Sequence, residues 1–316
     1  MTVSFQADEA APTPTSAQSA PVHTNQLTAA DREQLGPELA AIVERYPASS
    51  QKGLARSLIA AGDNQPALPR ALKYALPTER DAMGFLVANM PEVDAQSLSS
   101  TFLLRNVRLA LKAREQAPWG RDIPDDLFLN DVLPYASLNE RRDDWRDDFM
   151  TRFLPVVKDC VSPGEAALKL NKHVFDALNI HYHATKRPKP DQSPYESMAA
   201  TYASCTGLSI LLVDACRACC LPARLVGVAA WTGKRGNHTW VEVWDNGWHF
   251  LGASESEKLD EGWFAADAAK ANTHEPLNQL YASSWKRTAV HFPLVWDVGI
   301  DWVSAVAVTG RYVAAR

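Results

Sequence analysis

The sequence predicts an α+β protein in which a Cys-bearing helix packs on an antiparallel sheet, preceded by an α-helical region. Three observations predict this class. From Thr28 to about Asn130, apolar residues recur at helical spacing. Beyond residue 222 the runs turn β-branched and aromatic, in "RLVGVAAW", "HTWVEVWD" and "WHFLGA". Helices come first and strands after, without the alternation that builds a doubly wound parallel sheet.

Taken in order, residues 1–27 are rich in Ala, Pro, Thr, Ser and Gln, lack Lys and Arg, and read as a disordered tail. A helical region spans 28–150. Thr28 is the expected N-cap of "AADREQL", and "SQKGLARSLIAAG" gives a second helix stopped at Gly62. Thr78 is the expected cap of "ERDAMGFLVANM", and "DAQSLSSTFLLRNVRLALKAREQ" reads as one long helix. The charges from Glu140 to Asp148 around Trp145 read as a solvated helix face, with a clamp onto the neighbouring region as the other reading. The core is expected over 151–290, opening with a helix at Ser162 and Pro163. Residues 291–316 read as a strand segment that begins a further module.

Length and composition set outer limits. The 316 residues suffice for one large domain or two modest ones. A net charge of −5 argues against a general nucleic-acid binder. No run of 18 apolar residues predicts a membrane span. The first residues lack a basic start and an apolar stretch, so a soluble protein is expected, cytoplasmic or exported with its signal removed. Five cysteines, four of them between 205 and 220, do not form a disulfide framework. Cys216 and Cys219 lack the second ligand pair a zinc site needs, and "HYH" at 181–183 has no third ligand nearby. Neither a metal nor an organic cofactor is implied.

Chemistry concentrates at two points. Cys205 opens an apolar helix among Ala203, Ser204, Thr206 and Gly207. Free amides and the dipole at a helix start favour a thiolate and can hold an oxyanion. His238 opens the strand "HTWVEVW", placing it on one face with Trp240, Glu242 and Trp244. There an imidazole could take a thiol proton and return it to a leaving amine. A third group should orient the ring. A two-residue turn at Asn246-Gly247 would set His238 opposite Glu255, whereas a three-residue loop turns Glu255 to the other face. Tyr195 is a candidate oxyanion donor, Asn237 a candidate ring-orienting group, and Trp240 and Trp248 candidate cleft walls.

With "CRACCLPARLVG" after the helix start and "NHTWVEVWDNGWHFL" after that, residues 204–251 resemble the transglutaminase-like superfamily, which includes transglutaminases and peptide N-glycanases. A weaker likeness to bacterial members with a helical extension covers 78–290. The resemblance implies a papain-like core, Cys205 as nucleophile and His238 as general base. The family's acid falls at Gly252, a departure that leaves Glu255 as the candidate replacement. The implied activity is attack on peptide or side-chain amides of a peptide or protein substrate through a thioester, by hydrolysis or by transfer. The alternative is a catalytically impaired peptide-binding module on the same fold.

Overall fold

The computed structural model describes residues 25–64 and 66–314. The tail reading therefore falls outside the described residues except at 25–27.

The helical region starts as expected. The Thr28 hydroxyl accepts from the Asp31 amide at 3.1 Å, and the Asp31 carboxylate accepts from the Thr28 amide at 2.8 Å, a capping box for α1 (Ala29–Val43). Helices α2 (Ala48–Ala60), α3 (Ala67–Tyr74) and α4 (Arg80–Asn89) follow. Gly53 lets α2 lie directly on α4, since a Cβ there would meet the Ala88 carbonyl oxygen at 2.6 Å. Thr78 does not cap α4. It lies inside a 3₁₀ turn, Pro77–Glu79, where the Glu79 carboxylate accepts from the Leu76 amide. The single long helix expected from Asp94 is two elements, α5 (Glu92–Ala95) and α6 (Ser100–Gln116), because the Ser99 hydroxyl accepts from the Phe102 amide and starts a new helix. Short α7 (Asp125–Leu127) runs into a π turn at Phe128–Val132.

The solvated reading of 140–148 is corrected in part. Arg105, Asp144, Asp147, Asp148 and Arg152 form exposed ion pairs. Glu140, Asp143, Trp145 and Arg146 are instead buried at the start of α8 (Arg146–Val157). Arg146 donates to the carbonyls of Val132, Leu133 and Pro134 at 3.0 Å each, to Arg217 O at 3.2 Å and to Asn106 Oδ1 at 2.9 Å. A guanidinium fork satisfies several orphan carbonyls at once, so a charged residue is stable in the interior here. Arg217 does the same for Asp131, Pro134, Ala136 and Ala223.

The second half supplies α9 (Pro163–Leu178), capped by Ser162, then β1 (His181–Tyr182), α10 (Pro194–Ala200), β2 (Tyr202–Ala203) and α11 (Cys205–Ala218). Strands β3 (Ala223–Val228), β4 (His238–Trp244), β5 (Trp248–Leu251), β6 (Leu280–Ser283) and β7 (Ala305–Ala307) form one antiparallel sheet in the order β5-β4-β3-β6-β7. Short α12 (Ala265–Ala268) and α13 (Thr309–Ala314) pack together. The mixed helical and antiparallel architecture agrees with the α+β class.

Alternation along β4 sorts two cores. Val241 and Val243 join Leu208, Leu211 and Leu212 of α11 in a buried cluster reaching from Leu27 to Ala305. Trp240 joins Val226, Phe264 and Tyr312 in a second cluster on the other face. Each such apolar side chain contributes about 1.5–3 kcal/mol on full burial, which fixes the sheet against α11. Among the described residues no helix is long and apolar enough to cross a membrane.

Candidate active site

Cys205 is the first residue of α11 and is partly buried. Ser204 precedes it but spends its hydroxyl on the Pro190 carbonyl at 2.9 Å and leaves the helix start uncapped. The Thr239 amide and Thr206 act on the thiol in the direction that favours its charged form. Two further bonds tie the mouth of β4 to the first turns of α11. Thr206 Oγ1 donates to Thr239 Oγ1 at 3.0 Å, and Ser209 Oγ donates to Thr239 O at 3.3 Å. The residue next to His238 is thereby tied to the first turns of the helix that Cys205 opens.

The expected thiolate is corrected. Burial raises the Cys205 thiol and outweighs its hydrogen-bond donors, with the Glu255 charge adding to the rise. Burial, then the Lys234 ammonium, pushes His238 down to about 4. Near neutrality the resting pair is a thiol and a neutral imidazole.

His238 is 5% exposed. Its ring lies 4.7 Å from Trp263, 5.0 Å from Phe264 and 5.8 Å from Trp240 between centroids. Nε2 is buried with no hydrogen-bond partner among the described residues, Asn237 included. Trp240 is fully buried and donates to Tyr312 Oη at 2.8 Å, so it is a floor beneath the imidazole rather than an exposed wall. Trp248 stands at the far end of β4, paired with Trp244, with the Arg224 guanidinium 3.7 Å from its ring centroid. Tyr195 donates through its hydroxyl to Asp144 O at 3.2 Å and through its amide to Asp143. These contacts engage Tyr195 with the segment before α8 rather than with the thiol.

The hairpin takes the three-residue form, with Trp244 opposite Trp248 and Val241 opposite Leu251. Asp245 donates to the Gly247 carbonyl at 2.9 Å, and Asn246 adopts φ 57°. The two-residue register is therefore corrected, and Glu255 is not a ladder partner of His238. It returns to the site by another route. The chain turns after β5, with the amides of Glu255 and Ser256 both donating to Gly252 O at 3.1 Å and Ser254 at φ 66°. Glu255 Oε2 then lies where a side chain at 252 would start, 2.9 Å from the position of a Gly252 Cβ. It accepts from Trp263 Nε1 at 2.7 Å. Burial raises the Glu255 carboxyl, and the indole donor offsets part of that.

Three site residues escaped the sequence reading. Trp263 sits between Glu255 and His238, in "EGWFAAD", where nothing but an aromatic beside a turn marks it. Thr239 lies on the other face of its strand from His238, where alternation alone gives it no chemical signal. Tyr182 was passed over between two histidines. Its phenol is raised by burial first, with the charges of Cys205 and Glu255 adding to the rise. It is 56% exposed, and its backbone pairs with Ala203 just ahead of the nucleophile position. His183 Nδ1 accepts from the amides of Thr185 and Lys186, a local turn-closing role.

Residues 154–268 match the transglutaminase-like superfamily. No curated protein matches the chain. A crystal structure of a candidate cysteine protease from Cytophaga hutchinsonii is similar at 17% identity and a TM-score of 0.33, over 44% of this chain and 45% of that one. Overlap that low carries no weight for fold or reaction.

Proposed function

Starting from a transglutaminase-like core at 154–268, we propose that the chain is a cysteine enzyme in which Cys205 attacks the carbonyl of a peptide or side-chain amide. The observation that carries this reading is Cys205 at the first turn of α11, a turn that Thr206 and Ser209 tie to Thr239, the neighbour of His238. His238, neutral near pH 7, takes the thiol proton as sulfur bonds to the carbonyl carbon. Free amides at the start of α11 face the developing oxyanion, an arrangement in which each donor contributes about 10²–10³-fold. The C–N bond then breaks, the amine or ammonia leaves with the proton from His238, and a thioester remains on Cys205. Water or a second amine resolves it. Glu255 acts at one remove, holding Trp263 over the imidazole.

The test is mass spectrometry of the full chain mixed with peptide libraries, with and without a primary amine. An acyl adduct on Cys205, released as acid or as amide, is expected. Cys205→Ala should lose at least about 10³-fold in turnover and keep its fold, since Ala suits a helix start. Product formation that survives in that variant would overturn the assignment. The unpartnered Nε2 and the glycine at 252 favour one second reading, a peptide-binding groove with an impaired dyad. Saturable peptide binding without any adduct would select it.

A further inference from the structure

We propose that the seam between α2, α4 and the loop after β6 is a binding site for a small phosphate-bearing molecule, independent of the reaction proposed for Cys205. A cavity of about 840 Å³ opens there, and it shares no lining residue with Cys205, His238, Glu255 or Trp263. Three elements far apart in sequence build its walls. Lys52 and Arg56 come from α2, Phe85 and Asn89 from α4, and Lys286 and Arg287 from the loop. Hydrogen bonds fix that loop on the helical region. The Arg287 amide donates to Asn89 Oδ1 at 3.1 Å, the Lys286 amide to Asn130 Oδ1 at 2.8 Å and Trp285 Nε1 to Leu86 O at 3.0 Å.

The end of α4 holds two guanidinium groups on this cavity. Arg56 Nη2 donates to Ala88 O, and Arg287 Nη2 donates to Met90 O at 2.8 Å. Those carbonyls are two residues apart and so within about 7 Å of each other. Arginines that close helix-end carbonyls are ordinarily structural. Here each such bond occupies one donor of the fork and leaves the others. Among the described residues Lys52, Arg56, Lys286 and Arg287 form no ion pair. The two carboxylates on the same lining are engaged elsewhere. Asp31 accepts from the amide and hydroxyl of Thr28 at 2.8 and 2.7 Å, and Glu92 accepts from Gln96 Nε2 at 2.9 Å. Four cations against two carboxylates leave the cavity positive in a chain whose net charge is −5. Burial, then the neighbouring Arg287 charge, pulls the Arg56 guanidinium down to about 10, so the pair is crowded yet charged at neutral pH. An anion between the two forks relieves that repulsion. A carboxylate has oxygens for one fork, whereas a phosphate can accept from both at once. The volume suits a small molecule rather than a lone ion. Ile59 and Phe85, on the same lining, give apolar surface to the body that carries the phosphate.

Isothermal titration of the full chain would compare phenyl phosphate, inorganic phosphate and benzoate at constant ionic strength. Phenyl phosphate should bind saturably and about tenfold tighter than either of the others, since inorganic phosphate lacks the apolar body and benzoate the extra oxygen. Arg56→Gln and Arg287→Gln should each weaken it about tenfold, and together they should abolish measurable binding. Because both arginines also close carbonyls at the end of α4, Lys286→Gln, an exposed change, supplies a reading that does not touch the helix. It should weaken phenyl phosphate about threefold while the melting temperature holds. Ile59→Ser should remove the advantage of phenyl phosphate over inorganic phosphate. Benzoate binding as tightly as phenyl phosphate overturns the phosphate assignment. The absence of saturable binding, or binding indifferent to all of these substitutions, overturns the site.

Discussion

One face of β4 holds two polar groups four residues apart, and they are treated in opposite ways. At Glu242 every lone pair is used. Arg224 donates at 2.9 Å, Arg311 at 2.6 and 2.7 Å and Tyr312 at 2.8 Å to a carboxylate that is 2% exposed. At His238, nearly as deeply buried, Nε2 has no partner among the described residues. Buried polar atoms are almost always satisfied; Glu242 obeys that rule and His238 Nε2 does not. The difference lies in the surroundings. Glu242 has α13 packed over it, whereas His238 is flanked by Trp231, Trp263 and Phe264, which offer faces but no bond to the ring nitrogen.

The contrast can be broken at either end. The largest effect is expected at the open end, where His238→Ala should lower kcat/KM by about 10²–10⁴-fold and change the melting temperature little. A fall in stability with unchanged kinetics would place His238 with the architecture. At the saturated end Glu242→Ala leaves two guanidinium groups and a phenol facing a vacancy. Urea unfolding should show a loss of about 3 kcal/mol, and whatever enzyme folds should keep its kcat.

Acid sharpens the same comparison. The folded-state value of His238, about 4, lies below the ordinary 6.5, so the unfolded chain binds the extra proton first. The stability that the neutral buried ring contributes is complete above about pH 6.5 and is lost as pH falls toward 4, by about 3 kcal/mol. A melting series from pH 7 to pH 4 should show this, and His238→Gln should remove that part of the slope. The smallest effect is expected from Glu255→Gln, which keeps an acceptor for Trp263. It should slow turnover by about tenfold or less, with KM unchanged. Trp263→Phe should reproduce the loss if Glu255 works through the indole.

Much of this corner was legible beforehand because the signals are local. Small residues around a Cys at a helix start, and strict alternation from His238 to Trp244, specify α11 and β4 with no knowledge of the rest. The hairpin was harder. Asn246-Gly247 suits a two-residue turn, and only the bond from Asp245 to Gly247 adds the third residue and shifts the register. Glu255 reaches the site through a turn at Ser254, a non-glycine residue with positive φ that no pattern announces. The charge on the thiol was misjudged because the helix dipole is visible in a sequence and desolvation is not. The burial of Arg146 was hidden likewise, since its partners are carbonyls contributed by residues 132–134 and 217.

A side chain at 252 would start 2.9 Å from the Glu255 carboxylate oxygen, so any residue larger than glycine there must turn that carboxylate, which now accepts from the Trp263 indole. Substitutions at 252 and 255 are therefore expected to couple rather than add.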